Sequence, residues 1–275
     1  MERIGRALAA LVICAAWVMA ASAARTQTPA QAPTAPAATS AAAPQAGAAA
    51  STPALPTAQQ VFERYAQAIG GREAWEKLKT RVSRGTVHIE GIEGTGTLLE
   101  YERAPNQDLS VMTLQNGYVF RDGFDGKSGW EQDPAGKMHE LQGAREADRK
   151  ALADFYSEIH LGKIYPHPKM IGQKTADGRL ANVVEASVPG GRRRLLYFDA
   201  ESGLLFRTDV FENPLSPTPT EVDRQDDYRD VDGIKFPYRG SVQGPGTNVR
   251  YHITALHHNV TVTDDEVARP AASSN

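Results

Sequence analysis

The run Arg193-Arg194-Leu195-Leu196-Tyr197-Phe198 is followed by the polar stretch Asp199-Ala200-Glu201-Ser202-Gly203 and by a second run, Leu204-Leu205-Phe206-Arg207-Thr208-Asp209-Val210-Phe211. Both runs are rich in aromatic and aliphatic residues, and the short turn between them predicts a β-hairpin. The pattern recurs between Asp226 and Tyr238, around the tight turn Asp232-Gly233. This repetition indicates a substantial antiparallel sheet.

Alternation of apolar and polar residues extends the sheet in both directions along the chain. Val87 and Ile89 alternate with polar neighbours, and so do Val249, Tyr251 and Ile253 near the end of the chain. A period of two indicates strands with one buried face and one wet face. We expect about eleven strands, and strand twist should curl so wide a sheet into an unclosed half-barrel.

Helical patterns accompany the strands. Thr57 and Gln60 have the spacing of a capping box at the start of an N-terminal helical element. The stretch from Ala144 to Ile159 predicts one further helix, whose apolar residues include Leu152 and Phe155. This helix interrupts the order of strands, so we expect it to cover the open face of the sheet. The predicted fold class is mainly β with α.

The start of the chain is typical of an export signal. Arg3 and Arg6 precede an apolar run that ends at the small residues Ala21-Ser22-Ala23. Residues 1–23 therefore predict a signal peptide, and residues 24–56, rich in Ala and Pro, predict a disordered linker. We expect the half-barrel domain at 57–270 and a disordered tail at 271–275.

Charge and cysteine content exclude several classes of protein. The formal charge is −3, and removal of the signal, which carries Glu2, Arg3 and Arg6, would make it −4. Such a balance does not favour nucleic-acid binding. The only cysteine, Cys14, lies in the predicted signal. The mature chain should therefore have no disulfide bond and no thiolate metal ligand.

No motif for catalysis, for a cofactor or for a metal emerges. His257 and His258 are adjacent, so on a strand they would point to opposite faces and could not easily share an ion. The acidic run from Asp223 to Asp232 lacks carboxylates at the ends of a calcium loop, and we expect it to keep a sheet edge soluble. We expect Arg192-Arg193-Arg194 to lie in a solvated turn.

The sequence resembles the outer-membrane lipoprotein-sorting proteins of bacterial envelopes, the LolA/LolB-like family. The resemblance covers most of the chain after the linker and rests mainly on turn signatures, which specify a fold better than an activity. The stretches that carry it are Ala68–Ala74, Phe124–Trp130, Tyr197–Leu204, Tyr228–Pro237 and His258–Val267. It implies a half-barrel with an apolar cavity that shields an acyl chain in the periplasm. The family's carriers hold their lid with a cavity arginine, and no motif here assigns that role.

Alternation suggests which residues would line such a cavity, although it does not distinguish a cavity wall from a filled core. The candidate ligand-binding residues from the strands and from the covering helix are Val87, Ile89, Leu99, Tyr101, Leu152, Phe155, Val249, Tyr251 and Ile253.

Three functions are compatible with the sequence. The first is a periplasmic, non-catalytic, monomeric carrier whose partner is a lipid or lipoprotein acyl chain. The second is an envelope sensor or interaction module that binds an envelope membrane protein through the same fold. The third is a periplasmic hydrolase that uses a His/Asp pair. No cofactor and no nucleic-acid partner are predicted for any of them.

Overall fold

The computed structural model describes residues 54–90 and 95–271. The predicted signal peptide, the predicted linker up to residue 53 and the last four residues of the predicted tail lie outside the described residues. The proposed boundaries of these segments therefore stay predictions.

The described part of the chain forms one antiparallel sheet of thirteen strands. Their order is β6-β5-β4-β3-β2-β1-β13-β12-β11-β10-β9-β8-β7, so the first strand pairs with the last and the two edge strands, β6 and β7, do not meet. The strands are β1 Thr80–Ile89, β2 Thr95–Arg103, β3 Gln107–Leu114, β4 Val119–Asp125, β5 Gly129–Gln132, β6 Met138–Glu140, β7 Lys169–Ala176, β8 Arg179–Ala186, β9 Arg193–Asp199, β10 Leu205–Phe211, β11 Glu221–Val231, β12 Ile234–Gly244 and β13 Thr247–His258. The predicted fold class, a mainly β, unclosed half-barrel, is confirmed, whereas the count of about eleven strands is too low.

Both predicted hairpin turns are confirmed, and side chains stabilise each of them. Between β9 and β10, the Asp199 carboxylate accepts hydrogen bonds from the backbone N–H groups of Glu201 at 3.1 Å and Ser202 at 2.6 Å. Between β11 and β12, Asp232 and Gly233 have φ angles of 55° and 78°. Such a pair of left-handed residues matches the twist of the flanking strands.

The helices form two groups. The first contains α1 Ala58–Ala68 and α2 Arg72–Glu76, and the second contains α3 Gly143–Leu152, a 3-10 turn at Ser157–Ile159 and α4 Leu161–Ile164. The predicted capping box is confirmed, since the Thr57 side chain and the Gln60 side chain each accept from the other's backbone N–H. No helix in the described ranges is both long and apolar enough to cross a bilayer.

The prediction of one helix from Ala144 to Ile159 is wrong in length, because α3 ends at Leu152. The Asp154 carboxylate accepts a hydrogen bond from the Tyr156 backbone N–H at 2.9 Å and lies 2.9 Å from the His160 ring. A short carboxylate that bonds to nearby backbone competes with helix continuation. The chain therefore turns there before the 3-10 turn begins.

Two large apolar clusters make up most of the core. The helix-side cluster joins residues of α1, α2, α3, α4 and the 3-10 turn to β8, β9, β10 and β12, and it includes Phe62, Tyr65, Leu152, Phe155 and Phe198. The strand-side cluster consists of residues on or between strands: Val87, Ile89, Leu98, Met112, Leu114, Phe120, Phe236, Tyr238, Val242, Val249, Tyr251, Ile253 and Leu256, with Val231 packed against them. A flat sheet cannot cover its own face, so the burial of this second cluster requires the sheet to curl.

Replacing Gly233 by alanine tests the contribution of the β11–β12 turn. A Cβ at Gly233 would meet no atom within 4 Å, so the cost is conformational. We expect the free energy of unfolding, measured by urea denaturation, to fall by about 1 kcal/mol because an L-residue is strained at this φ. The neighbouring exposed substitution Lys235→Ala should change it by less than about 0.5 kcal/mol. Equal stabilities of the two variants would contradict this account.

Candidate functional site

The inner face of the sheet changes character along each strand from β1 to β4. At one end it is apolar, with Val87, Leu98, Met112 and Phe120 in the strand-side cluster. Further along each strand, on the same face, the side chains become polar, two residues on from Leu98, Met112 and Phe120 and four residues on from Val87. The hydrogen-bonded register aligns these positions as a row across five strands, which we name the acidic row: Ser83, Glu100, Ser110, Asp122 and Glu131.

A second polar row lies beside the acidic row, on the side away from the strand-side cluster. Arg81 pairs in register with Glu102, and Glu102 with Asp108. The Arg81 guanidinium donates a hydrogen bond to the Glu102 carboxylate and lies 4.5 Å from the centre of the Phe236 ring. The two rows together bring five carboxyl groups to the inner face.

The position of Glu100 distinguishes it from the other four carboxyl groups. The Ser83 hydroxyl donates a hydrogen bond to Glu100, and in the described part of the chain no lysine or arginine forms an ion pair with it. Burial, reinforced by the charge of Glu102, raises the pKa of Glu100 to about 7. Burial likewise raises the pKa values of Asp122 and Glu131, although Arg149 and Arg145 oppose those shifts.

The sheet has two wings, one ending at edge strand β6 and the other at edge strand β7. Helix α3 connects these wings through charged side chains. On one flank, Arg149 forms an ion pair with Asp108 on β3 and lies 3.7 Å from Asp122 on β4. Arg145 lies 2.5 Å from Glu131 on β5. These contacts fix the helix to the wing that carries the acidic row.

On its other flank α3 is fixed by Asp148. The Asp148 carboxylate lies 2.7 Å from Nε of Arg192 in the β8–β9 turn and 2.8 Å from Nη2 of Arg194 on β9. Burial opposes ionisation of this carboxyl group, but Arg194 and Arg192 hold its pKa well below the usual range. The helix therefore spans the opening that the unclosed sheet leaves, held by opposite charges on both sides.

One expectation from the sequence is wrong at these positions, and a second is wrong in part. Arg192 and Arg194 are not in a solvated turn, because their exposed fractions are 5% and 0% and both bind Asp148. The acidic run begins inside the sheet, because Asp223 is buried where β11 pairs with β10 and β12. Further along the run Asp226, Asp230 and Asp232 are exposed, on the part of β11 that pairs with β12 alone and in the turn after it.

The nine predicted ligand-binding residues do not form one wall. Five of them, Val87, Ile89, Val249, Tyr251 and Ile253, belong to the strand-side cluster. Leu152 and Phe155 belong to the helix-side cluster. Leu99 and Tyr101 lie on the opposite face of the sheet, where they pack against Val82, Val262 and Val267. The ligand contacts themselves stay predictions.

Sequence reasoning missed the acidic row, although a signal for it was present. Residues 83, 85, 87 and 89 alternate with their neighbours, so Ser83 must share a face with Val87 if the strand is regular. The same parity joins Glu100 to Leu98. The sequence prediction placed Leu99 and Tyr101 on the inner face, whereas the structure places Leu98 and Glu100 there. The two consecutive leucines leave open which alternate residues of β2 face inward.

A separate cavity of about 320 Å³ opens beside the β8–β9 turn. It contains none of the nine predicted residues and is lined by His167, Lys169, Glu185, Ala186, Ser187, Gly191, Arg193 and Pro214. Its Arg193 lies 3.3 Å from Glu185, donates to the Ser216 carbonyl at 2.9 Å and stacks 3.6 Å from the Phe211 ring centre. These contacts already engage its guanidinium group.

Three histidine–carboxylate pairs bear on catalysis and metal binding. A ring nitrogen of His139 lies 3.0 Å from the Asp133 carboxylate, one of His160 lies 2.9 Å from Asp154, and one of His258 lies 3.1 Å from Asp232. In His258 the second ring nitrogen is buried without a hydrogen bond, so no nucleophile is aligned with that pair. Within residues 54–90 and 95–271, no group of three or more His, Cys, Asp or Glu side chains is placed to hold a metal ion.

The sequence matches no protein-family model and no curated protein. Solved structures, in contrast, are similar in fold. A LolA superfamily protein from Nitrosomonas europaea aligns with 78% of this chain and 99% of its own, with a TM-score of 0.53 and 12% identity. An outer membrane lipoprotein-sorting protein domain from Vibrio parahaemolyticus aligns with 76% of this chain and 94% of its own, with a TM-score of 0.54 and 8% identity.

The chain has a LolA-type fold. A DUF1329 family protein from Desulfovibrio piger gives the same result, with a TM-score of 0.53, 13% identity and coverage of 76% of this chain and 96% of that one. The resemblance noted in the sequence is thereby confirmed for the fold. Identities of 8–13% carry the likeness no further than the LolA-type fold itself.

Replacing Asp148 by asparagine tests the anchoring of α3 on the LolA-type fold. The change leaves two buried guanidinium groups without their shared counter-charge, so we expect the free energy of unfolding to fall by about 3–5 kcal/mol. Glu212→Gln is a matched control. Glu212 pairs with the same Arg192 at 2.9 Å but is half exposed, and its loss should cost less than about 1 kcal/mol. Similar urea midpoints for both variants would contradict the anchoring role.

Replacing Glu100 by glutamine tests the buried carboxyl group. In the folded protein its pKa is about 7, and its ordinary value is 4.5. Between these values the folded state keeps a proton that the unfolded state has lost, so the free energy of unfolding falls as pH rises. Above about pH 8 the penalty is complete, about 3 kcal/mol, and Glu100→Gln removes it.

Urea denaturation at several pH values measures this effect. We expect Glu100→Gln to be more stable than the wild type at about pH 8 and equal to it at about pH 4. The exposed substitution Glu76→Gln should show no such pH-dependent difference. A constant difference between Glu100→Gln and the wild type across this range would refute the raised pKa.

Proposed function

We propose that this protein is an exported, non-catalytic carrier that shields an acyl chain against the inner face of its half-barrel. The observation that carries the proposal is the strand-side cluster. Apolar side chains from six strands converge there on the inner face of an open sheet of LolA-type fold. Such a surface is suited to a ligand that is itself a hydrocarbon chain.

The hydrophobic effect provides the affinity without specific polar contacts. Each methylene group removed from water contributes about 0.8 kcal/mol, so even a medium-length acyl chain gains a large driving force. The ligand must first separate side chains that pack on one another, because members of the cluster such as Leu98, Met112 and Val249 are almost fully buried. Uptake is therefore coupled to an opening of the half-barrel.

Helix α3 is the element that we expect to move during this opening. It spans the gap between the wings, and ion pairs hold it to both of them. These pairs are strong while they are dry, and the attraction between their charges falls steeply once water reaches them. Release of the Asp148 flank would separate the two wings and leave Arg149 and Arg145 attached to β3–β5.

Two further features support an envelope carrier. The predicted signal peptide at 1–23 would deliver the chain to the periplasm, where a lipid needs protection from water. One structure of similar fold is described as an outer membrane lipoprotein-sorting protein domain. We therefore expect a lipid or lipoprotein acyl chain as the ligand and an envelope membrane protein as its source or acceptor.

Mass spectrometry of the protein purified without detergent from its own bacterium tests the proposal. We expect an organic extract to contain a stoichiometric acyl-chain lipid, and the stripped protein to take up a fluorescent acyl probe. A protein that carries no lipid and takes up no probe would refute the carrier function. Hydrolysis of the probe during incubation would instead favour an enzyme.

Replacing Met112 by glutamine tests the strand-side cluster as the binding surface. Glutamine has a similar shape but places a polar amide among apolar side chains, so we expect the affinity for an uncharged acyl probe to fall about tenfold or more. The next residue, Thr113, faces outward and is exposed. Thr113→Gln should leave the affinity unchanged, and near-UV circular dichroism should verify that both variants fold. Equal affinities would place the binding surface elsewhere.

A further inference from the structure

The cavity beside the β8–β9 turn has a lining with an excess of positive charge. Lys169 is the first residue of β7, Arg193 is the first residue of β9, and His167 lies just before β7. Among the residues described around the cavity, Glu185 on β8 is the only acid. The lining therefore carries one positive charge in excess when His167 is neutral and a further one when its ring is protonated. A concave surface of this sign attracts anions.

Three polar side chains of the lining are available to a ligand. His167, Lys169 and Ser187 are exposed, and within the described ranges none of their side chains forms a hydrogen bond or an ion pair. An ammonium group, an imidazole ring and a hydroxyl group can each donate a hydrogen bond. These groups can therefore bind the oxygen atoms of an anion without first breaking a contact within the protein.

Arg193 adds a positive charge that is already held in one orientation. Its Nη1 lies 3.3 Å from the Glu185 carboxylate, its Nη2 donates to the Ser216 carbonyl at 2.9 Å, and its guanidinium carbon lies 3.6 Å from the centre of the Phe211 ring. The side chain keeps 22% of its surface exposed. A group that is fixed before a ligand arrives loses little conformational freedom on binding. Arg193 therefore supplies a pre-oriented charge at the cavity wall.

The wall at Gly191 is also fixed. A Cβ at this position would come within 2.1 Å of Asp148 Oδ1 and 2.2 Å of Val188 Cγ2, so the turn packs here without a side chain. The Gly191 backbone N–H donates to the Val188 carbonyl at 3.0 Å. This part of the cavity is therefore held by the same Asp148 that anchors α3.

The arrangement of donors suits a phosphate group better than a carboxylate. A phosphate ester presents three acceptor oxygen atoms in different directions, whereas a carboxylate presents two in one plane. The donors of His167, Lys169 and Arg193 come from two strands and from the loop before β7. The cavity volume of about 320 Å³ is at the lower end of the range for small-molecule sites, and it leaves room for an organic group attached to the phosphate.

We propose that this cavity binds the phosphate group of an organic phosphate, through Lys169, Arg193 and His167. The same chemistry is offered by a soluble phosphate ester and by the head group of a phospholipid, and the experiment below distinguishes these two sources. The proposal is independent of the carrier function, because the cavity contains none of the residues assigned to the acyl chain. It adds a second binding site at the other wing of the sheet.

Glycerol 3-phosphate tests the cavity with a soluble ligand. At about pH 7.5 this ester is mainly a dianion, and low salt limits screening of the charges. We expect titration calorimetry of the purified protein to show saturable binding at one site, with a dissociation constant of about 1 mM or below. Glycerol should not bind, and acetate should bind at least about threefold more weakly. Acetate that binds as tightly as glycerol 3-phosphate would overturn the selectivity for phosphate.

Vesicles test the lipid source with the same head group, because phosphatidic acid is glycerol 3-phosphate that carries two acyl chains. Sedimentation with phosphatidylcholine vesicles, with and without phosphatidic acid, measures the bound fraction of the protein. Binding that depends on phosphatidic acid and on Lys169, without binding of glycerol 3-phosphate, would assign the cavity to a phospholipid head group.

Three variants locate the binding. Lys169→Gln should weaken binding about three- to fivefold, because it removes one exposed positive charge from the lining. Lys174→Gln is a matched control, since Lys174 lies on the same strand, is exposed and does not line the cavity. Glu185→Gln should strengthen binding about threefold, because it removes the negative charge that opposes an anion. Near-UV circular dichroism should verify that all three variants fold.

Two results would overturn the site. Equal losses of affinity in Lys169→Gln and Lys174→Gln would show that phosphate is attracted by surface charge in general. Failure to bind either glycerol 3-phosphate or phosphatidic acid, by a protein whose near-UV circular dichroism is native, would remove the site altogether. Neither result affects the carrier function, which an acyl probe without a phosphate group tests separately.

Discussion

An antiparallel sheet that curls without closing has an inner face that its own strands cover only in part, and this constraint governs the structure. The strand-side cluster is buried by curvature, whereas the remaining inner face needs helices. Helix α3 has the most demanding position, because it spans the opening between the wings. Opposite charges hold it there: Arg149 binds one wing and Asp148 binds the other. The ionic character of these contacts makes the cover strong in a dry interior and sensitive to entering water.

Features specified by neighbouring residues could be predicted from the sequence. The Asp199 and Asp232-Gly233 turns depend on side chains and φ angles within a few residues, and the Thr57 capping box spans three. The alternation of β1 and β13 was equally local and correctly placed Val87 and Tyr251 on the inner face. Together these features were sufficient for the fold class.

Features specified by distant residues could not be predicted. Arg194 is buried because Asp148, 46 positions away in the chain, supplies its counter-charge, and three consecutive arginines give no sign of such a partner. Leu98 and Leu99 are equally apolar, so only the pairing of β2 with β1 decides which of them faces inward. The acidic row is a feature across strands, and alternation along one strand does not reveal it.

The pairing of the first strand with the last has a consequence for how the molecule is made. Val87 on β1 is opposite Tyr251 on β13, so the centre of the sheet is assembled from the two ends of the domain. During synthesis β1–β6 can form a meander, but β1 remains an unpaired edge until β13 has emerged. Such non-local pairing slows folding, and the exposed edge can recruit a strand from another molecule. A truncation that removes β13 would therefore yield aggregation-prone material and not a smaller, soluble half-barrel.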